Sequence, residues 1–258
     1  MTSSNTDRDE PALRARRWRD GVHAAVCDVR VPWTHGTVVR ASRYPRYFDF
    51  NMVRVEEDPG MDAAALIAIA DEALAGLAHR RVDVDQAGVG EALRPGFAAA
   101  GWECERVLWM GHEGRAPSPG AHARAHVHEV AYDAVETLRR AWHADGPTDA
   151  SSEEFRAQAR EVALARGVQV LAWVEGDAPV AFATLARDGR DAEITEVYVD
   201  PRLRGAGRGT AITLAAAEAA ADARDLWICA DDEDRPKRLY GRLGFRPVWL
   251  TTQFLRAP

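Results

Sequence analysis

The chain has 258 residues, a formal net charge of −7 and a hydrophobic content of 47%. That length allows one large or two modest domains, and the apolar content is enough for a packed core. The negative charge argues against non-specific nucleic-acid binding. No apolar run reaches membrane-span length, and the opening MTSSNTDRDEPALRARRWRD lacks a hydrophobic leader core, so a cytoplasmic protein with no membrane partner is expected.

Residues 1–20 read as a flexible tail. Phe48 to Val55 is strand-like, and Asp62 to His79 is an Ala-rich helix. Val82 to Asp85 is a short strand, Val89 to Ala100 a helix, and Gly101-Trp102 to Met110 a strand. Gly111 to Ala125 is rich in Gly, Pro and Ala and lacks periodicity, which predicts a linker over 112–125. His122, His126 and His128 cluster nearby, but no Cys or carboxylate stands at a zinc-site spacing, so solvated linker histidines and no metal are expected. Cys27, Cys104 and Cys229 are odd in number and widely spaced, which predicts free thiols in a reducing compartment.

Val127 to Val130 opens the second half as a strand. Asp133 to Trp142 and Ser152 to Ala165 are helical, with Ser151 or Ser152 as N-cap and Glu154 in the first turn. Three antiparallel strands follow, Val168–Val174, Pro179–Ala186 and Glu193–Val199, separated by turn signals at Glu175-Gly176-Asp177 and Asp188-Gly189. Next come a glycine-rich loop, a helix from Ala211 to about Ala221, and a buried-type strand, Leu226–Ala230. Asp231 to Arg242 is a polar helix that Gly244 ends, and Arg246–Leu255 is the last strand.

The loop carries the strongest chemical signal. Val197-Tyr198-Val199 leads through Pro201 into Arg204-Gly205-Ala206-Gly207-Arg208-Gly209-Thr210 and then a helix. Such a turn exposes backbone N–H groups at the positive end of the helix dipole and suits a pyrophosphate. Glycines let the backbone approach the ligand, and Arg204 and Arg208 add charge. A P-loop would need Lys after the last glycine, and a Rossmann loop would need Gly where Thr210 stands. Arg204, Gly207 and Gly209 instead fit [QR]-x-x-G-x-[GA], with Val199 and Pro201 as its lead-in. Leu239-Tyr240-Gly-Arg-Leu-Gly244-Phe245 fits L-Y-x-x-x-G-F. Both motifs and the element order over 126–258 resemble the GNAT superfamily of acyl-CoA-dependent N-acyltransferases. One departure is that Glu233 and Pro236 stand where the family usually has Asn and Ala upstream of the tyrosine.

The resemblance implies an α/β fold (α+β): a mixed, mostly antiparallel central sheet flanked by helices. It implies acetyl-CoA or another short acyl-CoA as co-substrate and an amine acceptor, in a monomer or homodimer. Arg204 to Thr210 would hold the pyrophosphate, and Val197, Tyr198 and Val199 would face the pantetheine and thioester. Tyr240 would be the general acid for the departing thiolate. Glu193 and Glu196 are the candidate general bases. They lie three apart, so a regular strand points them to opposite faces unless a bulge intervenes; a water relay is the alternative. Asp231 and Asp232 would lend negative potential for an ammonium group.

Residues 21–111 echo 126–258, which points to duplication. There the glycine cradle is replaced by Glu56, Glu57 and Asp58, and Phe97 stands where Tyr240 stands. The first half is therefore expected to be a degenerate GNAT-like subdomain that packs against the second and walls the cleft. An N-acetyltransferase, a non-catalytic acyl-CoA-binding regulatory module and a purely structural protein are the readings the residues leave open.

Overall fold

The computed structural model of the protein describes residues 10–112, 120–144 and 152–258. The expected tail gives way at Pro11 to a helix, α1 (Pro11–Val26), with Pro near its N-terminus and Ala15, Trp18, Arg19 and His23 buried. Four arginines between Arg14 and Arg19 masked its inward face in the sequence. A hairpin that went unpredicted follows, β1 (Val29–Trp33) and β2 (Gly36–Arg40). Then come β3 (Met52–Val55), α2 (Ala63–Ala73), β4 (Arg80–Val84), α3 (Ala87–Ala99) and β5 (Glu103–His112), each near its predicted place.

Part of the predicted linker falls in regular elements. His112 ends β5, residues 113–119 lie outside the described residues, and α4 (Ala121–His126) occupies the rest. His126 is not a solvated histidine: its ring stacks on Trp173 at 5.1 Å, and Nδ1 lies 3.2 Å from the Val174 carbonyl oxygen. His128 is exposed. The second half continues with β6 (Val127–Val130), a short 3-10 turn, α5 (Glu136–Ala144) and α6 (Glu153–Ala165), whose Ser152 cap accepts from the Phe155 N–H. β7 (Gln169–Glu175), β8 (Ala178–Asp188), β9 (Asp191–Val199), α7 (Arg208–Ala219), β10 (Asp225–Asp231), α8 (Pro236–Arg242) and β11 (Phe245–Arg256) complete it. The last helix is shorter than predicted because Pro236 sets its start.

All eleven strands form one sheet, in the order β1-β2-β3-β4-β11-β5-β10-β9-β8-β7-β6. It is mostly antiparallel; β3 with β4 and β9 with β10 are the parallel neighbours. The two halves repeat one plan: an antiparallel meander, a parallel strand reached through a helix, a second helix, a closing strand. They exchange those closing strands. β5, from the first half, pairs with β10 of the second, and β11 pairs with β4 of the first. β5 and β11 then pair with each other from Phe245↔His112 to Leu255↔Glu103, through a bulge at Pro247/Trp249. The segments 21–111 and 126–258 therefore do not form separate sheets.

Helices cover both faces. Alternation puts Val82, Val84, Ile194, Ile228 and Phe254 on one face, where α2, α3, α7 and α8 bury them. Their neighbours Arg81, Asp83, Glu105, Glu193 and Thr195 point the other way, into a cavity that α1, α5 and α6 also line. The first helix is locked across the seam. The Arg19 guanidinium forms a two-pronged pair with Asp85 at 2.6 and 2.8 Å and sits 4.5 Å from the Trp249 ring. The Trp249 indole donates to the Asp85 carbonyl.

Arg19 is 7% exposed and Asp85 3%, so Asp85→Ala leaves a buried cation without its counter-charge and should cost about 3–5 kcal/mol. The Arg19→Met/Asp85→Leu double variant should recover most of that. Equilibrium urea unfolding of both checks it; a double variant as unstable as the single would refute the buried-pair account.

Candidate active site

Strands β9 and β10 run side by side from Asp225↔Asp191 to Ile228↔Ile194, and there the ladder ends. β10 goes on beside β5, and β9 beside β8. The sheet is thus forked, and the edge of β9 from Thr195 to Val199 that faces β10 lies beyond the ladder. Val197, Tyr198 and Val199, the predicted pantetheine segment, lie on this stretch.

The predicted nest follows directly. Gly207 is the N-cap of α7, in the left-handed region at φ 81°, and no side chain caps the helix. Gly205 is also left-handed at φ 86°, and nothing lies within 4 Å of a Cβ built at either glycine. Backbone N–H groups at the head of a twelve-residue helix therefore face open space, the arrangement that suits an anion. Gly209 is packed between Leu239 and Val199. Arg204 is exposed, donates to the Val199 carbonyl at 3.1 Å and lies over the Tyr198 ring. Arg208 departs from expectation: Glu175 holds its guanidinium at 2.6 and 2.7 Å, so much of its charge is already neutralised.

The first half lacks both features. Its β3–β4 ladder stays closed to Val55↔Val84, with the Asp85 N–H donating to Val55. The Asp62 side chain accepts from the Ala65 N–H, filling the head of α2 with a carboxylate of its own. Phe97, the counterpart of Tyr240, is fully buried and stacks on Phe254 at 3.9 Å.

The two candidate bases do share a face. The β8–β9 register jumps from Thr184↔Thr195 to Phe182↔Tyr198, so Glu196 and Val197 stand opposite Ala183 alone. Glu196 is left-handed at φ 49°, the only such non-glycine among the described residues. This bulge returns Glu196 to the cavity side beside Glu193. Their environments differ. Glu196 is held at 3.0 and 3.2 Å by Arg139, itself 1% exposed. Glu193 Oε2 accepts from the Trp18 indole at 2.7 Å, and the Cys229 thiol lies 3.7 Å from Oε1. Burial raises the Glu193 carboxyl above the ordinary range, against the Trp18 bond and the charge of Arg166. Neither Trp18 nor the cavity was read from the sequence; no local pattern ties a residue in the first helix to β9.

Tyr240 is 5% exposed, on the helix-covered side of the fork beside Phe245. Burial raises its hydroxyl above the ordinary tyrosine value, so it stays protonated through neutral pH. Asp232 is occupied by Arg106 and Lys237, whereas Asp231 accepts from the Glu233 N–H and has no ion pair among the described residues. The three cysteines are unpaired. Among the described residues no His/Cys/Asp/Glu group could hold a metal ion, and no helix is long and apolar enough to cross a membrane.

A forked sheet, a glycine nest heading the helix after the fork, and a tyrosine on the next helix define an acyltransferase-type fold. Residues 132–245 match the family model described as Acetyltransferase (GNAT) family, and the chain carries a GNAT domain in its C-terminal half. The whole chain is similar to a GCN5-related N-acetyltransferase from Kribbella flavida, with a TM-score of 0.62 and 18% identity over 96% of each chain. It is also similar to a functionally unknown conserved protein from Staphylococcus epidermidis ATCC 12228, with a TM-score of 0.67 and 13% identity over 88% of this chain and 92% of that one. These likenesses show the fold. No curated protein matches.

A raised folded-state carboxyl favours the native state while protonated, and that contribution disappears as pH rises through the folded value. Glu193→Gln keeps an acceptor for Trp18 and removes the buried charge. It should therefore raise Tm at pH 8, with an advantage that shrinks as pH falls toward about 4, where the free carboxyl protonates. Thermal melts across that range check this; a wild type at least as stable as the variant at pH 8 contradicts it.

Proposed function

We propose that the chain is a cytoplasmic acyl-CoA-dependent N-acyltransferase that moves an acetyl or other short acyl group to a primary amine of a small molecule or peptide. The observation that carries this reading is the fork at Ile194/Ile228 leading straight into an uncapped helix head at Gly207. A diphosphate fits the nest, because Gly205 and Gly207 leave it open where a Cβ would stand. A thioester reaching from there through the fork would arrive beside Thr195, Glu196 and Cys229, which line the cavity.

In the proposed reaction Glu193 takes a proton from the acceptor ammonium, directly or through water. Its raised pKa, position in the cavity and lack of an arginine clamp suit a base better than those of Glu196. The amine nitrogen attacks the thioester carbonyl carbon. Backbone N–H groups of β9 beyond the fork stabilise the oxyanion. The C–S bond then breaks, Tyr240 gives its proton to the thiolate, and the products are an amide and free coenzyme A. We assign Glu196 to holding the bulge with Arg139. The first half, 21–111, we read as a degenerate GNAT-like subdomain whose use is structural: it walls the cavity and seats α1, which supplies Trp18.

Coenzyme A at about 100 times its Kd should stabilise the wild type by about 2.7 kcal/mol. Gly207→Glu should abolish both that shift and acetyl transfer. Tyr240→Phe should keep the shift and lower kcat about a hundredfold. A wild-type rate in either variant, read by released thiol, would overturn the assignment. Trp18→Phe removes a hydrogen bond that favours the Glu193 carboxylate, so the acid limb of its kcat/KM profile should move to higher pH. An unmoved limb in a variant that still binds coenzyme A would separate Trp18 from the base.

A further inference from the structure

The cavity on the acceptor side of the fork has a volume of about 430 Å³, within the range of small-molecule sites. It is roofed by α1 and α6 and walled by Tyr47, Trp109 and Phe155, so it suits a compact molecule better than a folded protein surface. Most of its charges sort into pairs; the exception among the cations is Arg166, whose charge acts on Glu193. Arg81 is held by Asp49 and by Asp83 at 2.8 Å, Arg19 by Asp85, and Glu196 by Arg139. Two lining carboxylates have no guanidinium of their own: Glu193, near the fork, and Glu105, on β5.

Glu105 pairs with Gln253 in register, and Gln253 pairs with Asp83, so the three lie in one row across the seam. Six residues along β5 separate Glu105 from Gly111, which is level with Trp227 and thus with Glu193. The two free carboxylates therefore sit toward opposite ends of the cavity. Glu105 is solvent-exposed, and the charges that act on it are Arg81 first and then Asp231, Asp49 and Asp83. Three carboxylates beside one guanidinium leave that end acidic, a setting that attracts an organic cation.

A second polar side chain also faces this cavity. His23 is 5% exposed and lines the cavity. Its Nδ1 faces the Arg54 guanidinium at 3.5 Å and can only accept there. Burial and the surrounding arginines keep the ring neutral, which puts its proton on Nε2. No described residue takes that proton, so a donor facing the cavity awaits a ligand or water.

We propose that the acceptor is a small primary amine carrying a second cationic nitrogen, seated in the cavity between the halves, with the second nitrogen at Glu105 and the reacting amine at Glu193. This rests on the transferase reading above and narrows it. Glu105 binds the substrate and takes no part in proton transfer; Glu193 serves the nitrogen that is acylated.

The test uses the full chain with acetyl-CoA and two matched series, α,ω-diaminoalkanes of three to six carbons and 1-aminoalkanes of equal length. The wild type should favour the best diamine over its monoamine partner at least tenfold in kcat/KM. Glu105→Gln should raise KM for the diamine about tenfold with a smaller change in kcat, bringing the ratio near one. Equal kcat/KM for the two series in the wild type, or an intact preference in Glu105→Gln, overturns the inference and leaves the transferase reading standing. Should neither series be acylated, the transferase reading fails for these amines, and calorimetric titration of the diamines into the coenzyme A-loaded protein decides the inference separately. Binding that Glu105→Gln abolishes upholds it, and no binding overturns it.

Discussion

The exchange of β5 and β11 between the two halves is the constraint on which the rest of the molecule depends. β4 and β10 each pair with the closing strand of the other half, so neither is left with the open hydrogen-bonding edge that folded proteins cover or blunt. Their edges face two strands that also pair with each other from end to end. The bulge at Pro247/Trp249 lets a proline sit inside a central strand and shifts its alternation by one. Phe245 and Phe254 can then both face the helices that bury them. The cavity lies over this seam, and its floor draws on strands from both halves.

A shared plan makes the differences between the halves informative. Each has a parallel strand pair crossed by a helix, yet one pair forks and the other stays closed. One helix begins at a bare glycine; the other is capped by Asp62. These are differences of a few residues at one end of the sheet, and the hydrophobic faces behind them are equivalent. The differences are local, while the framework is common to both halves.

The sequence made much of this readable. The loop from Arg204 to Thr210, its place between strand and helix, the order of elements after Val127 and the repetition between the halves all rest on local patterns, and local patterns survive in the fold. What escaped depends on contacts distant in sequence. Four arginines made α1 look like tail, because the partner that buries Arg19 is Asp85. The exchange of closing strands leaves no local trace, since β5 and β11 have the same alternation whichever strand they join. The bulge at Glu196 was foreseeable only as a condition: two carboxylates three apart share a face only if an extra residue intervenes, and one does.

The unfavourable features of the molecule are concentrated on β9 and the turn after it. Glu193 is a desolvated carboxylate, Glu196 a non-glycine in the left-handed region, and Gly207 leaves a helix head uncapped. Local rules broken together within fifteen residues are what the proposed site would require, and they cost stability there. What holds them in place comes from the far end of the chain. Trp18 and Arg19 are neighbours on α1; one fixes the Glu193 carboxylate and the other locks the helix to Asp85 at the seam. Trp18 reaches Glu193 from α1, and Asp85 and Trp249, held together by the exchanged strands, help seat α1 beside the Arg14–Asp225 and Asp20–Arg54 pairs. The helix that opens the chain, seated over the seam through Arg19, therefore acts on the β9 carboxylate through the adjacent Trp18.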